Sequence, residues 1–440
     1  MFLRRFSVPL ALLAAFACLT VPALGQDERD AAKRRAVAEA EAAKEKDARK
    51  EPAAEQPKPA GKQVLRLYEW GVETLRWDGG PEPEFDGEIP KFYYEPNEVS
   101  VDASGRPIAE PKPDTPKPEA KPAERPQRRK PVVYFACDSD VTFDLDVKFT
   151  RGKVTWMYPK PSRLVDATLA QWDNIQLYSD AVTARDKTPL LNLPKVDASH
   201  WAAFSRDGAT SSLMVNDETE RFIFYEGDNA GLPEVDVLLD SEGRVVIRNY
   251  SAHALSSLRF SQGSAADSKS WFVASIPAAS GDNPGQVVLA ADATMTWEAF
   301  SAAGSLRAET SAAGLTAAQA AVFERAWQGV FFKQGAGTLS YRRDMKALDE
   351  MMELKVTLPE GFGFEQSRVG YVFVHGIDLS RQAEIAALVT SAAEGHAESA
   401  TKLGKLGMAA VSGMRSQLAD AKVPLARRVA VAKLLAEFGK

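Results

Sequence analysis

Residues 130–161, KPVVYFACDSDVTFDLDVKFTRGKVTWMYPKP, decide how the chain is read. In VTFDLDVKF, Phe143, Leu145, Val147 and Phe149 alternate with Thr142, Asp144, Asp146 and Lys148. A period of two marks a strand with one buried and one wet face. Arg151-Gly152 is a turn signal, and Val154, Trp156 and Tyr158 again stand two apart. A hairpin is therefore expected, with those three residues on its inward face. The apolar run 132–136 is expected to add a third strand.

Toward the amino terminus, 64–75 (VLRLYEWGVETL) sets Leu65, Leu67 and Glu69 against Arg66, Tyr68 and Trp70. This predicts a strand, with Gly71 marking a bulge or bend. Residues 102–130 are rich in Pro, Lys and Arg, a composition that favours solvated, extended chain and reads as an insertion within one domain. Residues 26–61 are mostly Ala, Glu, Lys, Arg, Asp, Gln and Pro, with no apolar stripe to hold a helix on a core; they read as a disordered or partly helical tether. Residues 1–25 carry Arg4 and Arg5, an apolar run over 8–19, and Ala23-Leu24-Gly25 before Gln26. That order is a secretory signal peptide. Export to a bacterial periplasm or beyond is the expected localisation, with no transmembrane segment in the mature chain.

The full chain has 440 residues and a formal charge of −6; loss of residues 1–25 with their two arginines takes it to −8. An acidic balance argues against nucleic acid as a partner. Of two cysteines, only Cys137 follows the leader, so an internal disulfide is impossible and stability rests on packing. Within YFACD, Cys137 reads as a buried small hydrophobe.

Toward the carboxyl terminus, short runs near 199–203, 211–215, 220–225, 235–239, 245–249, 256–260, 270–276 and 286–289 read as strands separated by polar turns. Asp240-Ser241-Glu242-Gly243 is one such turn. The expected fold is mainly β: an antiparallel β-sandwich-like domain over 62–300, an α+β extension over 301–378, and a helical segment over 379–440. In the extension, Thr316 and Gln319 have capping-box spacing, and Ala320, Phe323, Trp327, Val330 and Phe331 line one helical face. Three helices are expected after 379. Residues 403–439, with a Leu-Gly pair, a Leu-rich helix, Asp420, Pro424 and the pair Arg427-Arg428, resemble a single HEAT-type repeat. That resemblance implies a protein-interaction role for this segment.

No GxSxG, HExxH, Walker A or GxGxxG motif occurs. His200, His253, His375 and His396 are isolated in sequence, so neither a metal nor a cofactor is expected. Asp138, Asp140, Asp144 and Asp146 invite a calcium reading, but same-face strand carboxylates stand about 7 Å apart, and a solvated face is the simpler reading. Trp70, Trp156 and Tyr158 are the candidate ligand-binding residues, since aromatic faces stack on sugars and other flat ligands. The alternative for Trp156 and Tyr158 is a place in the core beside Val154. A binding or scaffolding protein of the cell envelope, with an envelope protein or polysaccharide as partner, fits this pattern. A secreted hydrolase of polysaccharide or peptide using clustered carboxylates is the alternative, and a self-assembling structural component is a third.

Overall fold

A computed structural model describes residues 63–438, apart from 80–89, 91, 102–127, 130, 181–192, 229–231, 264–268, 303–305 and 333–336. The expected leader, the tether and nearly all of the 102–130 insertion lie outside the described residues. The fold is mainly β, with several antiparallel sheets and a helical carboxyl-terminal segment. No helix among the described residues is long and apolar enough to cross a membrane.

The large sheet is built around a parallel pair. Val64–Arg76 runs beside Gly363–His375 in unbroken register from Val64 opposite Gly363 to Arg76 opposite His375. Thr338–Arg343, Leu255–Gln262 and Lys269–Ile276 extend the sheet on one side. Val132–Ala136, Ile223–Asp228 and Lys153–Tyr158 extend it on the other. Strands from the expected 62–300 domain and from the expected 301–378 extension thus share one sheet. Gly71 forms no bulge. It stands opposite Gly370, and its missing side chain is explained by close approach: a Cβ on Gly71 would lie 3.2 Å from Pro131 Cα, and one on Gly370 2.4 Å from Leu348 Cδ2.

The alternation at Phe143, Leu145, Val147 and Phe149 is an inward face; all four are buried. They belong to a smaller sheet, in which Val141–Phe149 lies between Leu169–Ser179 and Met352–Thr357, and Ser211–Val215 flanks Leu169–Ser179. The two sheets face each other across Leu65, Leu67, Phe135 and Ile223 on one side and Phe143, Leu145, Trp172 and Leu213 on the other.

The expected hairpin does not form. After Arg151-Gly152 the chain leaves the small sheet, and Lys153–Tyr158 pairs with Ile223–Asp228 in the large one. A register shift between Glu226 and Gly227 makes Thr155 an extra residue in that strand. Val154 and Met157 therefore enter the core between the sheets, whereas Trp156 and Tyr158 pack into the core on the large sheet's opposite face. A one-residue insertion reverses every side chain beyond it.

That opposite face is covered by the helix Ala317–Phe331, through Phe323, Trp327 and Phe331. Thr316 Oγ1 accepts from Gln319 N and Gln319 Oε1 accepts from Thr316 N, so the expected capping box is present. The run expected as a strand at 199–203 is instead the short helix Trp201–Ser205, because His200 Nδ1 accepts from Ala202 N and starts a turn. A third core joins Leu339, Tyr341, Val372 and Val374 to the sheet of Val235–Leu239, Val245–Asn249 and Gly285–Leu289, and to the carboxyl-terminal helices. Those helices number four, Gln382–Ala393, Ala397–Gly404, Gly407–Ala419 and Leu425–Phe438, since the run expected as one helix breaks between Gly404 and Gly407.

Candidate functional site

The aromatic residues singled out in the sequence come together, but inside the protein. Trp70 is 2% exposed and meets the Phe323 ring edge-on at 5.6 Å between centroids. Tyr158 is 1% exposed and stacks on Tyr93 at 5.0 Å. Burial, followed by the charge of Glu220, holds the Tyr158 phenol far above its ordinary pKa. Trp156 packs against the same core and is partly buried. As a ligand surface the set fails at Trp70 and Tyr158, because neither ring face reaches solvent. Trp70 and Tyr158 are core residues, and Trp156 is partly buried beside them.

The acidic cluster also has a local explanation. Asp144 Oδ1 accepts from Asn174 N at 2.8 Å, Asp146 Oδ1 from Gln171 Nε2 at 2.7 Å, and Asp140 Oδ1 from Ser179 N at 2.9 Å. Each carboxylate ties its own segment to the neighbouring strand Leu169–Ser179. Among the described residues, no three His, Cys, Asp or Glu side chains converge as metal ligands do.

One of those ties builds the most promising surface feature. Between Phe143 and Leu145 the pairing slips, so that Asp173 and Asn174 together oppose Asp144. Asn174 takes a left-handed φ of 56°, which an asparagine tolerates better than most residues. The bulge turns Asp173 and Asn174 toward the outer side of the small sheet. One strand further, Val215 and Glu218 pair across the two-residue turn Asn216-Asp217, with φ of 48° and 67°. Two positive φ angles match the type I′ hairpin, whose twist suits flanking strands.

Bulge and turn wall a polar recess of about 310 Å³, lined by Ser162, Asp173, Asn174, Gln176, Met214, Asn216 and Asp217. Its frame is fixed from behind. Ser162 Oγ accepts from Asp173 N at 2.9 Å, Asn216 Nδ2 donates to Lys160 O at 3.0 Å, and Glu218 accepts from both Lys160 N and the Tyr94 hydroxyl at 2.6 Å. The side chains of Asp173, Asn174 and Asp217 make no hydrogen bond or ion pair to another described residue. They offer carboxylate acceptors and an amide that both donates and accepts. Sequence reading missed this site. Asn216-Asp217 between two short β runs was a legible turn signal, but nothing in the sequence marked the bulge.

A second polar region is buried. Outside the two apolar cores on one face of the large sheet, Arg368 bonds Glu69 and also Asp349 Oδ1 at 2.5 Å, while Tyr225 donates to Glu69 Oε1 at 2.5 Å. Arg343 bonds Glu73 and, at 2.6 Å, Glu234. Burial pulls both guanidinium pKa values down, but the adjacent carboxylates outweigh it and hold both above the ordinary arginine value. A cavity of about 20 Å³ lies among Glu69, Glu73, Arg343, Gly71 and Gly370, with Leu348 and Met352 over it. Its size suits a single water.

No family model and no curated protein matches the sequence. Among solved structures, the yeast delta-COP-I mu-homology domain complexed with a Dsl1 WxWxV peptide aligns over 72% of this chain and 97% of its own, at 8% identity and a TM-score of 0.23. A likeness of that degree carries no conclusion about this protein.

Proposed function

We propose that the protein is an exported cell-envelope protein of binding type whose ligand, a hydroxyl-rich polysaccharide, enters the recess on the outer face of the small sheet. The observation that carries this reading is the set of unengaged polar groups, Asp173, Asn174 and Asp217, held on a bulge and a tight turn whose frame is hydrogen-bonded from behind. Sugar hydroxyls donate to carboxylates and exchange hydrogen bonds with amides, and an open groove admits a polymer without a closed pocket. The leader-like residues 1–25 support export.

The test is calorimetry with solubilised envelope polysaccharide on the wild type and on the Asp173→Asn/Asp217→Asn pair. Wild-type binding that weakens about tenfold or more in the double variant supports the reading, given about 1 kcal/mol for each hydrogen bond lost. Equal binding by both proteins, or none by either, ends it. Export is tested separately by the amino terminus of protein from its host, expected near Gln26; a retained Met1 in the cytoplasmic fraction removes that part.

The pairing of Asp173 with Asp217 in one recess keeps a second reading in play, a secreted hydrolase with one carboxylate as acid and the other as base or nucleophile. Turnover of the bound polymer, lost in either single Asn variant, would select it.

A further inference from the structure

The short helix Met345–Met351 lies over the buried ion pairs: Leu348 packs against the bare backbone of Gly370, and Asp349 bonds the buried Arg368. It leads directly into Met352–Thr357, the edge strand of the small sheet. Its outer side is gripped by one residue from a distant loop. His253 Nε2 is 2.8 Å from Glu350 Oε2, and His253 Nδ1 is 3.8 Å from Asp344 Oδ2. Asp344 is also the helix cap, accepting from Ala347 N at 2.7 Å.

Both ring nitrogens therefore face a carboxylate. A neutral imidazole has one N–H and one lone pair, so it can satisfy only one of them and sets its lone pair against the other. The imidazolium donates to Glu350 at 2.8 Å and places its positive charge 3.8 Å from Asp344, too far for a hydrogen bond but close enough for attraction.

We propose that His253 is a pH-operated latch, whose protonated ring closes the helix Met345–Met351 over the buried ion pairs and whose neutral ring loosens it.

The uncharged groups around the ring are a hydroxyl, a side-chain amide and backbone. His253 sits in a loop closed by its own backbone, with Ser251 Oγ donating to His253 O at 2.7 Å and accepting from His253 N, and with Asn249 Nδ2 donating to His253 O and Pro277 O. Ala279 N donates to Ser251 O. Asp344 and Glu350 are the charged groups against the ring, and Lys346 acts on Glu350. The His253 bond, opposed by slight desolvation, lowers the Glu350 pKa below 4.5. A depressed carboxylate contributes above its unfolded pKa and loses its contribution as pH falls through the folded one. Loss of the Glu350 charge thus sets an acid limit on the latch.

The latch is read independently of any ligand. Amide hydrogen exchange is followed at pH 5.5 and pH 8, corrected for intrinsic rates, in the full chain and in its His253→Gln and Glu350→Gln variants. In the wild type, opening of residues 345–351 is expected to rise about two- to fivefold at the higher pH, the range of an exposed ion pair. Amides of Val64–Arg76 serve as the internal reference and should not change. His253→Gln should open to the high-pH level at either pH, and Glu350→Gln should keep only the smaller response that Asp344 supplies. A wild-type ratio of one overturns the proposal, as does a pH response that persists in His253→Gln.

Discussion

Glu220 shows how a single buried carboxylate sets a pH response. It is 1% exposed and held by the Arg206 guanidinium through two hydrogen bonds of 2.9 and 2.7 Å. Burial nevertheless wins over Arg206 and raises its pKa above 4.5. The folded state then binds the proton more tightly than the unfolded chain, so this group favours folding at acid pH. That contribution fades as pH climbs from 4.5 toward the raised value. Glu220→Gln holds this position neutral at every pH and is therefore expected to flatten the decline just above pH 4.5. Urea midpoints measured from pH 4 to pH 7 check this; a wild-type slope surviving in the variant would count against it. None of this was legible in the sequence, where Glu220 stood merely at the start of an expected strand. Cys137 was legible: it is buried, as its apolar flanks implied.

At the scale of elements, alternation was readable and partnership was not. Phe143, Leu145, Val147 and Phe149 announce a buried face whatever strand lies beside them, and the box at Thr316 and Gln319 announces a helix start. A turn, however, does not say which sheet receives the chain after it. Arg151-Gly152 looks the same whether the next strand folds back or crosses to the facing sheet. Thr155 was equally silent, since a bulge depends on the partner's register. Its importance can be tested by contrast. Thr155→Val should leave stability unchanged or raise it by up to about 1 kcal/mol, because among the described residues its buried hydroxyl has no hydrogen-bond partner to lose. Deleting Thr155 should instead send Trp156 and Tyr158 toward the wrong core and abolish cooperative unfolding. A deletion variant with a wild-type melting transition would show that the strand can slip without cost. The recess escaped notice for the same reason as Thr155, for half of it rests on the slip opposite Asp144.

For the whole molecule, the consequential feature is the pairing of Val64–Arg76 with Gly363–His375. The segment read from sequence as a self-contained domain lacks this central partner, and strand Val141–Phe149 also loses its neighbour Met352–Thr357. Residues 62–300 produced alone are therefore expected to show no cooperative transition by circular dichroism, while residues 62–440 unfold cooperatively. A sharp transition in the shorter chain would contradict that dependence.

The same pairing sets a timetable. Arg66 and its cross-strand partner Glu365 are 299 positions apart, so the ribosome makes the first strand long before the strand that completes it. At about 5–20 residues per second, the early strand waits some tens of seconds with open edges and apolar side chains exposed. Late closure of so long a loop is also slow. A nascent chain with this schedule stays open to threading until its last quarter is made, which suits passage through a narrow pore. It is also open to aggregation for that whole interval.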